Sequence, residues 1–399
     1  MTTTGVPRSV SAAERRARLG RRHALAPGHG APDPVAAARA VVALHSTDPA
    51  STVLSALART PGATPADVER ALYEDRDLIR VLAMRRTLFA VPHDLAATAF
   101  VAAGDTVAVQ QRRILHQLLV ASGVTDDPGL WVARAERALL AAIAAVGEAT
   151  APELAAADPL LATRVTLEPG KKYETTQSVA SRLLTTLSAE GRVLRGRQVG
   201  GWAAPQFRWT TPAHWRELGP APATAEAAAT LARRWLHAYG PARPADLQWW
   251  AGWTVARTKA ALAALDTVDV VLEDGAPGVL LADDADEVAP PDPWVALLPA
   301  LDPTAMGWRH RDPFLGPHRE QVYDRNGNAG PTVWVDGRVV GGWVQRADGE
   351  VAVELLDDVG RAAADAVAER AAALTAQLAD VRLTVRARGW TAVEKRLRA

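Results

Sequence analysis

Gly191-Arg-Val-Leu-Arg-Gly-Arg-Gln-Val-Gly-Gly-Trp202, running on to Gln206-Phe-Arg-Trp209, is the stretch that decides the fold of this chain. Apolar residues alternate on either side of a glycine turn, which is the strand–turn–strand pattern of a hairpin. What precedes it is helical. Tyr173–Leu187 predicts a helix with a polar face of Thr175, Thr176, Gln177 and Arg182. Leu130–Val146 is an Ala/Leu segment with apolar residues at helical spacing. Between them, Thr150-Ala-Pro-Glu153 is a capping box that opens a short helix ending near Asp158-Pro159.

The order of helices and then a hairpin recurs on both sides. Upstream, Ser9–Leu25 reads as a helix with a basic face of Arg15, Arg16, Arg18, Arg21, Arg22 and His23. A second helix is expected from Val35 to about His45. Asp48-Pro49 is an N-cap followed by proline at the first helical position, opening a helix through Arg59. Pro65–Glu74 follows as a short helix, and Leu78–Val91 as two strands meeting near Arg85-Arg86. Downstream, Thr224 caps a helix to Tyr239. Pro244–Ala251 and Thr254–Leu265 are helices, and Val268–Leu281 is two strands joined by Asp274-Gly275. The second and third copies share a short signature. Gly147, Ala149, Glu153 and Leu154 match Gly240, Ala242, Asp246 and Leu247, with a fainter echo at Thr64–Val68. Helices followed by a hairpin are the outline of a winged helix.

From about Trp294 the texture changes. Trp294–Leu301, Pro331–Val340, Gly342–Gln345 and Val351–Leu356 are short β-type segments separated by Asp-Pro, Asn-Gly and Asp-Gly turns. Arg361–Leu378 reads as a helix and Val381–Arg388 as a final alternating strand. The expected fold is therefore α+β, with tandem winged-helix domains followed by a C-terminal β-barrel-like domain. The boundaries fall at residues 1–122, 123–220, 221–288 and 289–399.

Composition narrows the function classes. Hydrophobic residues make up 48%, enough for real cores, yet no apolar run approaches the roughly 20 residues a membrane-spanning helix needs. Cysteine is absent, which excludes disulfides, thiolate metal sites and cysteine nucleophiles. The N-terminus lacks the layout of a secretory signal, so the expected location is the cytoplasm. Basic and acidic residues balance at 45 each, so any nucleic-acid contact must come from a local basic face rather than from net charge. The basic residues are nearly all arginine, which also fits a GC-rich coding bias.

The most unusual local arrangement is Ala43-Leu-His45-Ser-Thr47-Asp48-Pro49, with imidazole, hydroxyl and carboxylate within four residues. Such a trio can orient water and stabilise positive charge. Local structure also accounts for it: Asp48 as an N-cap, Thr47 as a turn residue, His45 as a partly buried ring bonded to backbone. Arg195, Arg197 and Gln198 are placed at the tip of the second hairpin, suited to phosphate or minor-groove contact. Arg85 and Arg86 occupy the same position in the first hairpin. Lys171, Lys172, Thr175 and Gln177 open the presumed recognition helix of the second unit. Trp249, Trp250 and Trp253 suit core packing, with base stacking as the alternative. Tyr323–Gly330 reads as a structural hairpin. His310 and His318 flank Arg311-Asp312 without metal-ligand spacing, so no metal site is assigned.

Taken together, these segments resemble the winged-helix family of bacterial DNA glycosylases that includes AlkZ and its YcaQ-like relatives. Carrying the resemblance are Arg15–His23, Val42–Arg59, Met84–Leu88, Arg195–Trp202, Leu297–Trp308 and Tyr323–Trp343. The resemblance implies three tandem winged helices and a C-terminal β-barrel, and a hairpin at Arg195–Gln198 that probes the lesion. The family's Gln-x-Gln or Gln-x-Asp motif falls on His45-Ser46-Thr47, so both catalytic positions depart from the family pattern. The implied activity is monofunctional hydrolysis of the N-glycosidic bond of alkylated or bulky purine adducts. His45, Thr47 and Asp48 would be the catalytic residues, with no metal or cofactor. The expected partner is double-stranded DNA carrying alkylated purines, and the expected state a monomer with no membrane contact. A non-catalytic winged-helix regulator and a protein-binding scaffold remain as alternatives.

Overall fold

In the computed structural model, residues 7–168, 170–172, 174–384 and 389–399 are described. One order of elements repeats three times: helix, very short strand, two helices, hairpin. In the first unit these are Pro34–Ala40, Leu44–His45, Pro49–Leu57, Pro65–Tyr73 and the hairpin Leu78–Leu82/Leu88–Pro92. In the second they are Pro128–Val146, Ala149–Thr150, Ala151–Ala156, Val179–Ala189 and the hairpin Leu194–Val199/Gln206–Thr210. In the third they are Thr224–Tyr239, Ala242 alone, Pro244–Ala251, Val255–Ala263 and the hairpin Thr267–Val271/Pro277–Leu281. Each short strand pairs antiparallel with the second strand of its own hairpin: His45 with Phe89, Thr150 with Arg208, and Ala242 with Val279. The shared Gly-x-Ala signature of the second and third units thus marks one structural position.

Local chemistry fixes these corners. Proline stands within the first two helical positions after the short strand in all three units, at Pro49, Pro152 and Pro244. Its missing N–H costs nothing there. The Asp48 carboxylate accepts the Ala50 N–H at 3.2 Å, and Thr150 and Glu153 form the expected capping box.

Several expectations need correction. The helix from Val35 ends at Ala40, because Val42 takes a positive φ of 67° and the run Val41–Leu44 is buried as chain leading into a strand. Thr175 and Gln177 are not helical. Thr175–Ser178 pairs with Arg164–Leu167 as an additional hairpin, and the helix begins only at Val179, capped by Ser178. β-branched threonines favour the extended backbone, which polar helical spacing alone conceals. The dense basic face of the first helix (Ala12–Arg22) is largely internal. Arg15 pairs with Glu273 at 2.7 Å, Arg18 with Glu14 at 2.9 Å, and Arg22 with Asp284.

The C-terminal region is an open antiparallel meander of Val295–Leu298, Thr332–Val335, Arg338–Gln345 and Val351–Leu355. Among the described residues it does not close into a barrel. Helix Arg361–Leu378 packs against it, as does Ala392–Arg398, an element the sequence did not suggest. Val381–Thr384 belong to no strand, and the remainder of that expected strand lies outside the described residues.

Among the described residues two apolar cores are large, beside three small clusters. One belongs to the second unit, around Leu115, Leu139, Leu183 and Trp209. The other runs through the first unit, the third unit and the C-terminal sheet, joining Leu44, Phe89, Trp235, Trp250, Leu297 and Trp334. A fully buried ion pair crosses this larger core. Arg59 donates to Asp302 at 2.7 and 2.8 Å, and Asp302 also accepts from Ser55 and from the Thr304 N–H. It ties helix Pro49–Leu57 to the C-terminal region. No described helix is long and apolar enough to cross a membrane.

Candidate active site and nucleic-acid interface

His45 ends the short strand of the first unit, so its corner leads from strand to helix rather than from helix to helix. Its ring lies edge-on to Phe89, with centroids 5.3 Å apart, and only 5% of the residue is exposed. Nδ1 accepts the Thr47 N–H at 3.4 Å, which leaves the ring proton on Nε2. Burial, reinforced by the charge of Arg85, lowers the imidazole pKa to about 3, so the ring is neutral throughout the physiological range. Thr47 is exposed, and its Oγ1 accepts the Leu88 N–H at 3.3 Å, leaving the hydroxyl proton available. Asp48 is elsewhere. Its buried carboxylate caps the helix and lines a cavity of about 40 Å³ with Ala300, Trp343 and Arg398, a cavity that neither His45 nor Thr47 lines. The structure therefore brings His45 and Thr47 together and sets Asp48 apart.

Between them, Ser46 anchors the corner to the second unit. Its Oγ accepts from Arg80 Nε at 3.0 Å, and Arg80 also donates to Gln198 Oε1 at 3.0 Å. Tyr73 donates to the same oxygen at 2.7 Å, while the Gln198 amide nitrogen donates to the Trp202 and Ala204 carbonyls. Gln198 is thus a buried tie between units and not a hairpin-tip contact. Arg195, Arg197 and Gln198 all lie within strand Leu194–Val199, ahead of the turn at Gly200-Gly201. Arg195 folds over the Phe207 and Trp209 rings, and burial brings its pKa down to about 10. Arg197 is the most exposed of the three, with its guanidinium 4.8 Å from the Tyr73 centroid.

Arg85 and Arg86 do occupy the turn of the first hairpin, with positive φ values of 53° and 58°. Arg86 is exposed and lies in the field of Arg182, whose buried Nε has no hydrogen-bond partner. Lys171 and Lys172 are exposed in the loop of the additional hairpin, where Lys171 pairs with Glu168. Thr175 and Gln177 lie on one of its strands, opposite Leu167 and Val165. The basic and polar residues thus sit on hairpins, not on a recognition helix.

Trp250 and Trp253 are core residues, whereas Trp249 is half-buried beneath arginines. His310 and His318 bond separate carboxylates, Asp246 and Asp357, each at 2.9 Å. Among the described residues no three His, Cys, Asp or Glu side chains group to hold a metal ion. Tyr323–Gly330 is a turn built on the Asp324 carboxylate, which accepts from Asn326 and Asn328. Sequence reasoning missed Arg80, Trp249 as an arginine platform, and Arg311. Their signal is tertiary, since Arg80 and Gln198 are 118 positions apart.

No curated protein matches this chain. Among solved structures, the chain is similar to the Streptomyces sahachiroi DNA glycosylase AlkZ. The TM-score is 0.70 and the identity 23%, covering 95% of this chain and 99% of that one. That likeness concerns the fold. The family model described as "DNA glycosylase AlkZ-like" matches residues 38–377, a span that includes the His45–Thr47 corner, all three hairpins and the C-terminal sheet. The chain belongs to the AlkZ-like DNA glycosylase family.

Proposed function

We propose that this protein is a monofunctional DNA glycosylase that removes alkylated purines from duplex DNA, with its three repeated units acting as tandem winged helices. The observation that carries the reading is the family match across residues 38–377, which spans the corner where the two motif residues meet. A purine alkylated at N7 or N3 is cationic and already a good leaving group. The protein then has mainly to position water and support the developing sugar cation, which calls for neither metal nor cofactor.

The geometry supports the following roles. Thr47, exposed and carrying both a donor and an acceptor, holds the water. His45, buried and with its pKa lowered to about 3, is a poor base, and acts as a positioning residue by accepting the Thr47 N–H. Asp48 fixes the corner as a helix cap. Arg86, Arg197, Lys171 and Lys172, exposed on their hairpins, contact the DNA backbone, with the less exposed Arg85 and Arg195 on the same hairpins as Arg86 and Arg197, and Thr175 on the same additional hairpin as the two lysines. The protein works as a cytoplasmic monomer.

The test is a base-release assay on a duplex containing N7-methylguanine, scored as abasic sites. Wild type releases the base, and Thr47→Ala and His45→Ala reduce release by about 10²–10³-fold. His45→Asn, which restores an acceptor near Nδ1, recovers part of the loss. The buried imidazole is also compatible with a non-catalytic DNA binder. That reading predicts duplex binding with no release by wild type.

A further inference from the structure

Arg85, whose charge reaches the His45 ring, belongs to an unexplained pair of cations. Arg85 lies 3.9 Å and Arg311 4.9 Å from the centroid of one ring, that of Trp249. Both guanidiniums are largely withdrawn from water. Arg311 is 6% exposed, and the buried Nε of Arg85 has no hydrogen-bond partner. Neither forms an ion pair among the described residues, although the chain pairs most of its other buried arginines with carboxylates, as at Arg15, Arg18 and Arg59. Arg311 is held in place from behind, donating through Nε to the Trp308 carbonyl at 2.6 Å. Arg85 sits in the left-handed backbone region at φ 53°, where a non-glycine residue is strained. Gly252 lies so close that a Cβ there would meet the Arg85 nitrogen at 3.2 Å.

Two like charges withdrawn from water onto Trp249 repel each other, and the π faces of Trp249 and, for Arg311, of Tyr323 at 4.7 Å offset only part of that cost. A backbone held in a strained conformation to maintain the arrangement points the same way. An anion between the guanidiniums would relieve both the desolvation and the repulsion, and the chain supplies none among its described residues. Arginine's planar fork suits a phosphate oxygen pair.

We propose that Arg85 and Arg311, set on Trp249, form a phosphate clamp for one phosphodiester of the lesion-bearing strand, next to the nucleotide presented to Thr47. The inference rests on the DNA glycosylase reading and adds the group that anchors the strand. The clamp fixes the register of the strand at the corner, so that the sugar to be attacked meets the water on Thr47. Burial of the ring is what chiefly keeps the His45 imidazole neutral, and the nearby charge of Arg85 adds to it.

The test is a methylphosphonate scan. Duplexes carrying a tetrahydrofuran abasic analogue are made with single phosphates of the lesion strand neutralised in turn, and binding is measured by fluorescence anisotropy. For wild type, one phosphate flanking the analogue should weaken binding about tenfold when neutralised, the effect of a charge-assisted pair. In Arg311→Gln and Arg85→Gln that same neutralisation should have no further effect, while Arg311→Lys should retain part of it. Circular dichroism confirms folding of each variant, and the wild-type scan stands even if one variant does not fold. A flat wild-type scan, or the same loss in wild type and in both glutamine variants, overturns the clamp. Absence of duplex binding by wild type instead overturns the DNA reading itself.

Discussion

Removing Asp302 tests whether the corner depends on the C-terminal region. Arg59 and Asp302 are both fully buried, and the carboxylate accepts two guanidinium bonds, the Ser55 hydroxyl and the Thr304 N–H. In Asp302→Ala the Arg59 charge stays buried without its counter-ion, and its Nε already has no partner. Breaking one side of such a pair costs about 3–5 kcal/mol. With an m-value of about 3 kcal/mol/M, the urea midpoint falls by about 1–1.7 M. Replacing both partners, as Arg59→Met with Asp302→Leu, should recover most of that stability, because the unpaired charge rather than the pair carries the penalty. Arg59 holds the Asp302 carboxyl below its usual range despite burial. Its contribution is therefore complete above the unfolded pKa near 4 and is lost as the pH falls through the lower folded value. Urea melts of the two single variants and the double variant check the cycle. A loss below about 1 kcal/mol in Asp302→Ala would show that Arg59 is not left as an uncompensated buried charge, which costs more than that.

His23 and His45 are buried with pKa values lowered to about 3, so folding favours their neutral forms. Their stabilisation is complete above the unfolded pKa of about 6.5 and is lost as the pH falls toward 3, by about 1.4 kcal/mol per pH unit for each ring. Urea midpoints at pH 7 and pH 5.5 should show the decline, and His23→Asn should make it shallower. Gln198→Ala leaves Tyr73 and Arg80 without their shared acceptor, and should destabilise by about 2–3 kcal/mol in thermal melts. Its salt dependence of duplex binding should be unchanged, because the side chain is internal. Lys171→Ala with Lys172→Ala should leave the thermal midpoint in place. The slope of log affinity against log salt should fall by about 2, the value for two lost phosphate contacts.

The hairpins and most long helices were legible because alternation and helical spacing extend over enough residues to be seen. The two-residue strands were not. Leu44-His45 and Ala149-Thr150 gain their identity only from pairing with Phe89–Ala90 and Arg208–Trp209, far along the chain. The additional hairpin was read as a helix for a related reason, since Thr175–Ser178 takes its conformation from Arg164–Leu167. At the candidate site, His45 and Thr47 could be singled out from residue types and the family motif. The sequence shows Asp48 as a helix cap, but not that its carboxylate lines a separate cavity, nor that Gln198 points inward. The arginines of the first helix were read as a basic face because their acceptors, Glu273 and Asp284, lie more than 250 positions away. A comparable separation hid the converse case of Arg85 and Arg311, which meet on Trp249 with no carboxylate between them among the described residues.

On the proposed function, the His45–Thr47 corner cleaves a glycosidic bond although both motif positions depart from the family pattern. Single-turnover base release from an N7-methylguanine duplex, run beside duplex affinity for wild type and Thr47→Ala, tests it most directly. Wild type should produce abasic sites well above spontaneous depurination and the variant almost none, with affinity for the duplex within about twofold, a few tenths of a kcal/mol. Tight duplex binding by wild type with release no faster than background, or equal release by both proteins, would contradict it.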